Sequence, residues 1–338
     1  MKASSKKILV TGVAGFLGSH LAEKLAEMNY KVIGVDNMSG GYKDNIPNNV
    51  EFFNFDCCDL DKMKEVMKDV NVVYHCAATA HEGLSVFSPY HITKNNLLAS
   101  VSVFTAAVSS KVKRIIFCSS MARYGNQQTP FTEEMNPRPV DPYAISKVAA
   151  ENVLMNLCEL NDIEWIIAVP HNIIGPRQKY DDPFRNVVSI MINRMLQNKA
   201  PIIYGDGEQK RCFSYIDDCL SCLLPMLDQE NLNKQIINIG PDEEFVTINK
   251  VSEICSNITR SNLKPIHKKD RPREVKHACC SANKARKLLN YKTKTDLKNG
   301  ILKTYDYIKR RGPKPFEYHI NLEIKNELTP QTWLDKEL

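Results

Sequence analysis

The sequence of 338 residues has no long apolar run and no paired-cysteine pattern. No apolar stretch approaches the roughly 20 residues that cross a bilayer, and residues 1–7 lead into a strand-like run without a separate apolar region. We therefore expect neither a membrane span nor a secretory signal. The eleven cysteines are odd in number, and the adjacent pairs Cys57-Cys58 and Cys279-Cys280 suit neither zinc nor a relaxed disulfide. Reduced thiols, no metal and a cytoplasmic location are the expectation.

The charge distribution does not favour nucleic-acid binding. The net charge is +6, but basic residues are spread along the chain, with local enrichment only at residues 264–276 and 284–314. No zinc finger or aromatic RNA-binding motif accompanies them. We expect a solvated basic face and a few arginines that bind a phosphorylated small molecule.

A strand, a glycine turn and a helix follow one another at the start of the chain. A β-branched run at residues 7–11 enters Gly12-x-x-Gly15-x-x-Gly18, and a helical pattern follows. In such an arrangement the first glycine permits a tight turn, the second lets the backbone approach a pyrophosphate, and the third allows close packing of helix on strand. The motif predicts a dinucleotide site, with a loop used only for turning as the alternative.

Asp36 indicates which dinucleotide binds. It ends a second strand-like run, residues 31–35, and lies 18 residues after Gly18. A carboxylate at this place accepts hydrogen bonds from both ribose hydroxyls and repels a 2′-phosphate. The sequence therefore predicts NAD rather than NADP.

Further strand-like runs alternate with helical stretches through the first half of the chain. Strands alternating with helices predict an α/β fold with a doubly wound, parallel Rossmann sheet. After Pro170 the rhythm changes to short elements and loops. We expect an NAD-binding Rossmann domain at residues 1–170 and a smaller mixed α/β domain, which binds the substrate, at residues 171–338.

Tyr143 and Lys147 lie four residues apart in a helix for which Asp141 is a good N-cap. They therefore share one face, and the ammonium is expected to lower the pKa of the phenol so that it acts as a base. The same spacing occurs at two other places, so it is weak evidence alone. The context is stronger, because a buried-looking strand ends upstream in Ser119-Ser120. An ordinary surface helix pair is the alternative.

Together these residues resemble the extended short-chain dehydrogenase/reductase family, in particular its nucleotide-sugar epimerases and dehydratases. The resemblance covers about residues 6–310. Besides the glycine motif, Asp36 and Tyr143-x-x-x-Lys147, it is carried by Ser119-Ser120, Tyr124-Gly125 and Asn172-x-x-Gly-Pro-Arg177. It implies tightly held NAD, a UDP-, GDP-, dTDP- or CDP-sugar in the cleft, and a homodimer built on two helices per subunit.

The resemblance also implies roles for single residues. The implied catalytic residues are Ser120, Tyr143 and Lys147. The implied cofactor-binding residues are Gly12, Gly15, Phe16, Leu17, Gly18, Asp36, Asn37, Asp56, Cys57, Ala77, Ala78, Asn96, Tyr143, Lys147 and Pro170. The implied substrate-binding residues are Ser120, Asn172, Tyr204, Arg211, Arg271 and Ala278. Of these, Tyr204 is implied to stack on the base, and Arg211 and Arg271 to bind phosphate.

Ala278 lies seven residues after Arg271, in a loop with Arg273 where the family has glycine. The resemblance implies that this position flanks the substituent at C2 of the sugar. A methyl side chain leaves room for an N-acetyl group, so UDP-GlcNAc and UDP-GalNAc are expected to be accepted, alongside the non-acetylated sugars.

Met121 and Ala122 distinguish between the reactions of the family. Its dehydratases carry an Asp-Glu pair directly after the catalytic hydroxyl, whereas neither residue here exchanges a proton. The prediction is NAD-dependent C4 epimerisation of a nucleotide-activated hexose through a 4-keto intermediate. The alternatives are a dehydratase that uses His81 or Glu82 as the extra acid/base, a net NAD oxidoreductase, and a non-catalytic sensor of NAD or nucleotide sugar. The other interpretation of His81 and Glu82 is an ordinary polar loop that is solvated in the open site.

Residues 312–338 extend past the usual end of the family. Their aromatic residues argue against simple disorder. We expect this tail to pack on the substrate-binding domain or on a dimer partner.

Overall fold

The computed structural model describes residues 6–338. Residues 1–5, which carry most of the expectation about a secretory signal, lie outside the described residues. No helix within residues 6–338 is long and apolar enough to cross a membrane. All eleven cysteines are free thiols.

A seven-stranded parallel sheet forms the centre of the molecule, as the alternating pattern predicts. Its order is β3-β2-β1-β4-β5-β6-β11, which reverses direction between β1 and β4. Ligands of such sheets bind at the carboxyl ends of the strands beside this reversal. The strands are β1 (Lys7–Thr11), β2 (Lys31–Asp36), β3 (Glu51–Asn54), β4 (Val72–His75), β5 (Arg114–Cys118), β6 (Glu164–Pro170) and β11 (Gln235–Ile239).

Helices cover both faces of the sheet. On one face Leu21 and Leu25 of α1 pack in a core that also contains residues of α8 and α10. On the other face Val103 of α5 and Leu154 of α6 pack with residues of α2. These helices are α1 (Phe16–Glu27), α2 (Leu60–Val66), α5 (Ala99–Ser109), α6 (Pro142–Leu160), α8 (Ile216–Leu223) and α10 (Asn283–Leu289), and between α2 and α5 lie α3 (Glu82–Ser85), α4 (Pro89–Thr93) and a π-helical turn (Lys94–Leu98).

The N-terminus of α6 is fixed as the sequence predicts. The carboxylate of Asp141 accepts a hydrogen bond from the backbone N–H of Ala144 at 2.9 Å, and Pro142 occupies the first helical position, where no N–H is needed. The cap sets the point at which the helix starts, and it thereby turns Tyr143 and Lys147 toward the end of β5.

The second half of the chain forms short strands and three helices around a core of its own. Its one long strand, β11, pairs in parallel with β6 and thus belongs to the central sheet. The division into two domains at residue 170 remains a prediction, and β11 is a part of the second half that lies in the sheet of the first half. The other elements are β7 (Ile173–Ile174), α7 (Val187–Leu196), β8 (Ile202–Tyr204), β9 (Lys210–Arg211), β10 (Ser214–Tyr215), β12 (Val246–Thr247), α9 (Ile248–Thr259), β13 (Ile266–Lys268), β14 (His277–Ala278), α11 (Leu297–Arg311) and α12 (Gln331–Leu334).

The C-terminal segment, residues 313–338, packs on both halves of the same chain. On the first half, the carboxylate of Glu323 accepts hydrogen bonds from the backbone N–H groups of Tyr90 and His91, both at 2.9 Å. On the second half, the ring of Trp333 packs edge to face on Phe184, with centroids 5.3 Å apart. The segment therefore bridges the two halves at one end of the cleft.

Candidate active site

A cavity of about 440 Å³ opens at the carboxyl ends of the central strands, between the two halves of the chain. The structure brings nearly all of the predicted site residues to its wall. Those that line it are Gly12, Gly15, Phe16, Leu17, Gly18, Asp36, Asn37, Asp56, Cys57, Ala77, Ala78, Ser120, Tyr143, Lys147, Pro170, Asn172, Tyr204, Arg211 and Arg271.

The glycine turn forms a cradle that larger residues would fill. Gly12 has φ +74°, and a Cβ there would lie 2.9 Å from the backbone of Ala77. A Cβ on Gly18 would lie 2.2 Å from the carbonyl oxygen of Gly12. The turn leads directly into the N-terminus of α1, where backbone N–H groups and the helix dipole favour an anion such as a pyrophosphate.

Asp36 is held at the end of β2 by two backbone groups. Its carboxylate accepts hydrogen bonds from the N–H of Ala14 at 3.0 Å and of Met38 at 2.7 Å. Burial raises the pKa of Asp36, although these bonds oppose the shift. The carboxylate is thus fixed beside the glycine cradle, where a ribose would lie, and this geometry fits NAD. Asn37 and Asp56 lie next to it, with Nδ2 and Oδ2 3.5 Å apart.

A buried polar chain fixes the loop after β4. The backbone N–H of Ala77 donates to Oγ1 of Thr11 at 3.1 Å, and this hydroxyl lies 2.7 Å from Nδ1 of His75. Burial lowers the pKa of His75 to about 3, so the ring is neutral. Asn96 holds the same loop from behind, since its amide exchanges hydrogen bonds with the backbone of Thr79 at 3.0 and 3.1 Å. Asn96 therefore supports the loop and does not itself line the cavity among the described residues.

Ser120, Tyr143 and Lys147 all line the cavity. Tyr143 is hydrogen-bonded to Ser120, and the ammonium of Lys147 donates to the carbonyl oxygen of Cys118 at 2.8 Å. Burial raises the pKa of Tyr143, against the hydrogen bond from Ser120 and the charge of Arg185. The expectation that the chain lowers this pKa is therefore wrong for the protein alone.

Lys147 is buried beside the end of β5. Burial lowers the pKa of Lys147 to about 8, so its positive charge is only partly present above neutral pH. Its ammonium is also directed at a backbone carbonyl rather than at the phenol.

Glu82 faces the cavity, whereas its neighbour His81 does not act as a free base. Glu82 is exposed and lines the cavity. Burial, together with the charge of Asp141, raises the pKa of Glu82 to about 7. Nε2 of His81 is already 2.7 Å from Oδ2 of Asp182. Of the two residues proposed as an extra acid/base, the geometry favours Glu82.

The predicted phosphate-binding arginines pair with a carboxylate that the sequence did not single out. Nε of Arg271 donates to Glu274 at 3.1 Å, and Arg211 lies 3.8 Å from the same carboxylate while donating to the backbone carbonyl of Val275 at 2.6 Å. Arg273 has φ +62°, the left-handed conformation that glycine adopts without strain, which explains the glycine of the family at this place. Both arginines reach the cavity wall, and phosphate binding by them remains a prediction.

Tyr204 lines the cavity, where stacking on a base remains a prediction, whereas Ala278 does not line it. The guanidinium of Arg271 lies over the Tyr204 ring, 4.9 Å from its centroid, so one face of the ring is covered. The hydroxyl oxygen of Tyr204 lies 2.7 Å from that of Thr332. Ala278 is buried in the core with Tyr124, and it is not among the described residues that line the cavity. The structure does not bring Ala278 to the place where a sugar would lie.

Several cavity residues were missed by sequence reasoning. Phe184 and Arg185 lie on a loop before α7, and His319 and Ile320 lie on the C-terminal segment. Neither stretch has a periodic pattern or a motif. The only signal was the aromatic content of the tail, which argued for packing but not for a place in the site.

The fold and this cavity define a Rossmann enzyme in which a serine, a tyrosine and a lysine lie beside a dinucleotide cradle. The comparison with known families agrees, since residues 8–240 match the family model described as the NAD dependent epimerase/dehydratase family. The chain belongs to this family. NAD is therefore its cofactor, and the glycine cradle and Asp36 fit that group.

Similar proteins include both epimerases and decarboxylases. A putative UDP-glucose 4-epimerase of Methanocaldococcus jannaschii is 36% identical over 310 residues, which are 90% of this chain and 99% of that protein. A UDP-N-acetyl-α-D-glucosaminuronate decarboxylase of Bacillus cytotoxicus is 32% identical over 78% of this chain and 83% of that protein. The crystal structure of UDP-glucuronic acid 4-epimerase from Bacillus cereus with UDP-glucuronic acid and NAD has a TM-score of 0.84 and 29% identity, covering 90% of this chain and all of that one (100%).

Proposed function

We propose that the protein catalyses NAD-dependent C4 epimerisation of a UDP-activated hexose, either the glucose/galactose pair or its N-acetyl counterparts. The observation that carries the proposal is the meeting of Ser120, Tyr143 and Lys147 beside the glycine cradle in one cavity. The arginine end of the same cavity, with Arg211 and Arg271, provides charge for a diphosphate. The names of the epimerase relatives support the same reaction.

The residues of the chain have distinct tasks in this reaction. NAD, when bound, supplies the hydride acceptor and returns the hydride. Tyr143 takes the proton of the sugar 4-hydroxyl, while Ser120 holds the same oxygen by a hydrogen bond. Loss of that proton and of the C4 hydride leaves a 4-keto sugar. When the sugar presents its other face, Tyr143 returns the proton to the oxygen and the product is the C4 epimer.

Met121 and Ala122 support epimerisation over elimination. Both follow Ser120 directly, both are buried, and the backbone N–H of Ala122 donates to the hydroxyl of Ser120 at 3.2 Å. Neither side chain carries a titratable group. The step that an elimination adds, proton transfer at C5 and C6, thus finds no donor at these two positions.

Replacement of Tyr143 by Phe tests the proposal. We expect the variant to keep NAD and the fold but to lose activity by a factor of about 100 to 10,000, the contribution typical of general acid–base catalysis. The measurement is chromatography of UDP-hexose products, together with the amount of NAD retained through purification. Wild-type activity in this variant would refute the assignment, and steady release of NADH by the wild type would indicate a net oxidoreductase.

The second candidate function is elimination of water from the nucleotide sugar. The position of Glu82 favours it, because this carboxyl faces the cavity with a pKa of about 7 and could exchange a proton with the substrate. Mass spectrometry of the product separates the two reactions, since an epimer keeps the mass of the substrate and a dehydrated sugar does not.

We also propose that the protein is a cytoplasmic homodimer.

A further inference from the structure

Two histidines and an aspartate from three distant segments meet in the cavity wall. His81 follows β4, Asp182 precedes α7, and His319 belongs to the C-terminal segment. One side-chain ligand atom from each lies within 4.8 Å of the other two. Nε2 of His81 is 2.7 Å from Oδ2 of Asp182, and Nε2 of His319 is 3.9 Å from the same oxygen. The second distance is too long for a hydrogen bond.

Neighbouring backbone groups fix the orientation of two members of this cluster. Nδ1 of His319 lies 3.1 Å from the carbonyl oxygen of Glu317, so this nitrogen carries the proton and Nε2 presents its lone pair. Oδ1 of Asp182 accepts a hydrogen bond from the N–H of Phe184 at 2.8 Å, which leaves Oδ2 for the cluster. Metal-binding histidines and carboxylates are held by second partners of this kind.

The geometry of the cluster suits a cation, because two imidazole rings and one carboxylate bring their ligand atoms together at one point of the cavity wall. Nδ1 of His81 has no partner within residues 6–338, so the ring can carry its proton there and offer Nε2. A metal ion would then replace the proton between His81 and Asp182.

We propose that His81, Asp182 and His319 bind one divalent transition-metal ion of the Zn²⁺ type. Two imidazoles and one carboxylate suit Zn²⁺, Co²⁺ or Ni²⁺, whereas Mg²⁺ and Ca²⁺ prefer an all-oxygen set. Three protein ligands leave a coordination position open, and the three residues line the cavity. The positive charge of Arg185 acts on His81 and opposes a cation, so we expect moderate rather than tight binding.

The bound ion would fasten the C-terminal segment to the wall of the cavity. His319 is the only ligand from that segment, whereas His81 belongs to the loop that precedes α3. The proposal does not depend on the reaction proposed above, because metal binding is measured without turnover. Its consequence for the site is an open metal position at the same end as Glu82.

Metal binding by the full chain tests the proposal. The protein is produced without a polyhistidine tag, treated with chelator, and titrated with ZnCl₂ by calorimetry, with metal content measured after dialysis. We expect one Zn²⁺ per chain in the wild type and binding weakened at least about tenfold in His319→Ala and Asp182→Asn. The control is His267→Ala, an exposed histidine whose Nδ1 lies 2.8 Å from the carbonyl oxygen of Gly205. This variant should bind Zn²⁺ as the wild type does.

A thermal readout links the ion to the C-terminal segment. Zn²⁺ should raise the melting temperature of the wild type and of His267→Ala but not that of His319→Ala or the milder His319→Gln. Retained NAD shows that each variant is folded. The proposal is overturned if the folded wild type takes up no stoichiometric Zn²⁺, or if His319→Ala, His319→Gln and His267→Ala all bind it equally well.

Discussion

Glu82 and Tyr143 interact electrostatically across the cavity, and their interaction depends on pH. The charge of ionised Glu82 raises the pKa of Tyr143. Because burial raises the pKa of Glu82 to about 7, this charge is absent well below pH 7 and present above it. Ionisation of Glu82 therefore opposes formation of the phenolate on the alkaline side of neutrality.

Replacement of Glu82 by Gln should remove that opposition. We compare kcat/KM of Glu82→Gln with that of the wild type. As the pH is raised through 7, this ratio should increase by up to about tenfold, because a nearby charge shifts a pKa by about one unit. The measurement is the pH dependence of kcat/KM for both proteins, with exposed Glu159→Gln as the control. Loss of activity at every pH would instead make Glu82 an essential acid/base and favour elimination.

Arg123 is a buried charge in the turn after Ser120, and the structure shows why it is tolerated. Its guanidinium makes hydrogen bonds of 2.9, 3.1 and 3.2 Å to the buried carboxylate of Glu151. Ser119 donates to the same carboxylate. The pair thus joins the turn after Ser120 to the helix that carries Tyr143.

Removal of Glu151 should leave a buried, unpaired guanidinium. We expect Glu151→Ala to lower the free energy of unfolding by about 3–5 kcal/mol. The matched control is Glu159→Ala on the exposed face of the same helix, which should change it by less than about 0.5 kcal/mol. Urea denaturation of both variants is the measurement, and similar values for the two would show that the pair contributes little.

At the scale of elements, the C-terminal segment closes one end of the site. Trp333 is only 3% exposed and packs edge to face on Phe184 and Phe87, with ring centroids 5.3 and 6.0 Å apart. Its neighbour Thr332 holds the hydroxyl of Tyr204. The segment therefore fixes side chains of the arginine end, whereas the glycine cradle lies elsewhere.

Replacement of Trp333 by Ala should separate the two ends of the cavity functionally. We expect the free energy that holds the segment on the rest of the chain to fall by about 3–5 kcal/mol, as for other buried tryptophans. The KM for the nucleotide sugar should rise, whereas the retention of NAD should not change. Steady-state kinetics, bound NAD and limited proteolysis of the segment are the measurements. The adjacent, partly exposed Leu334→Ala is the control. Loss of NAD from Trp333→Ala would contradict this separation.

The elements of the first half were predictable because local signals specify them. The strand-like run at residues 31–35 is β2 (Lys31–Asp36), and the helix expected from the Asp141 cap is Pro142–Leu160. The C-terminal segment lacks such signals, since its only helix has four residues and its partners lie far away in the sequence. Tertiary contacts of this kind leave no periodic pattern.

Ala278 shows the limit of counting along a motif. In β14 the side chain of His277 is exposed and that of Ala278 is buried. Successive residues of a strand point to opposite faces, so an offset of one position moves a side chain from one face to the other. A count from Arg271 therefore does not fix which residue of the strand faces a ligand.

At the scale of the whole molecule, the homodimer remains a prediction with a surface that suits it. Leu98 in the π-helical turn and Ile145 in α6 are each 53% exposed, and these two elements pack together. We expect Leu98→Asp with Ile145→Asp to give monomers, measured by light scattering after size exclusion. Leu160→Asp, at the far end of α6, is the control and should leave the mass unchanged. A monomeric wild type would contradict the prediction.

Because β11 pairs with β6, a cut at residue 170 would remove a strand from the central sheet. Without residues 235–239, β6 would become an edge strand whose Ile166, Ile167 and Ala168 offer an apolar, unpaired backbone. Such an edge invites pairing with other chains. A fragment cut at residue 170 is thus an aggregation hazard, and a chimera that exchanges substrate-binding halves between relatives must keep β11 with the first half.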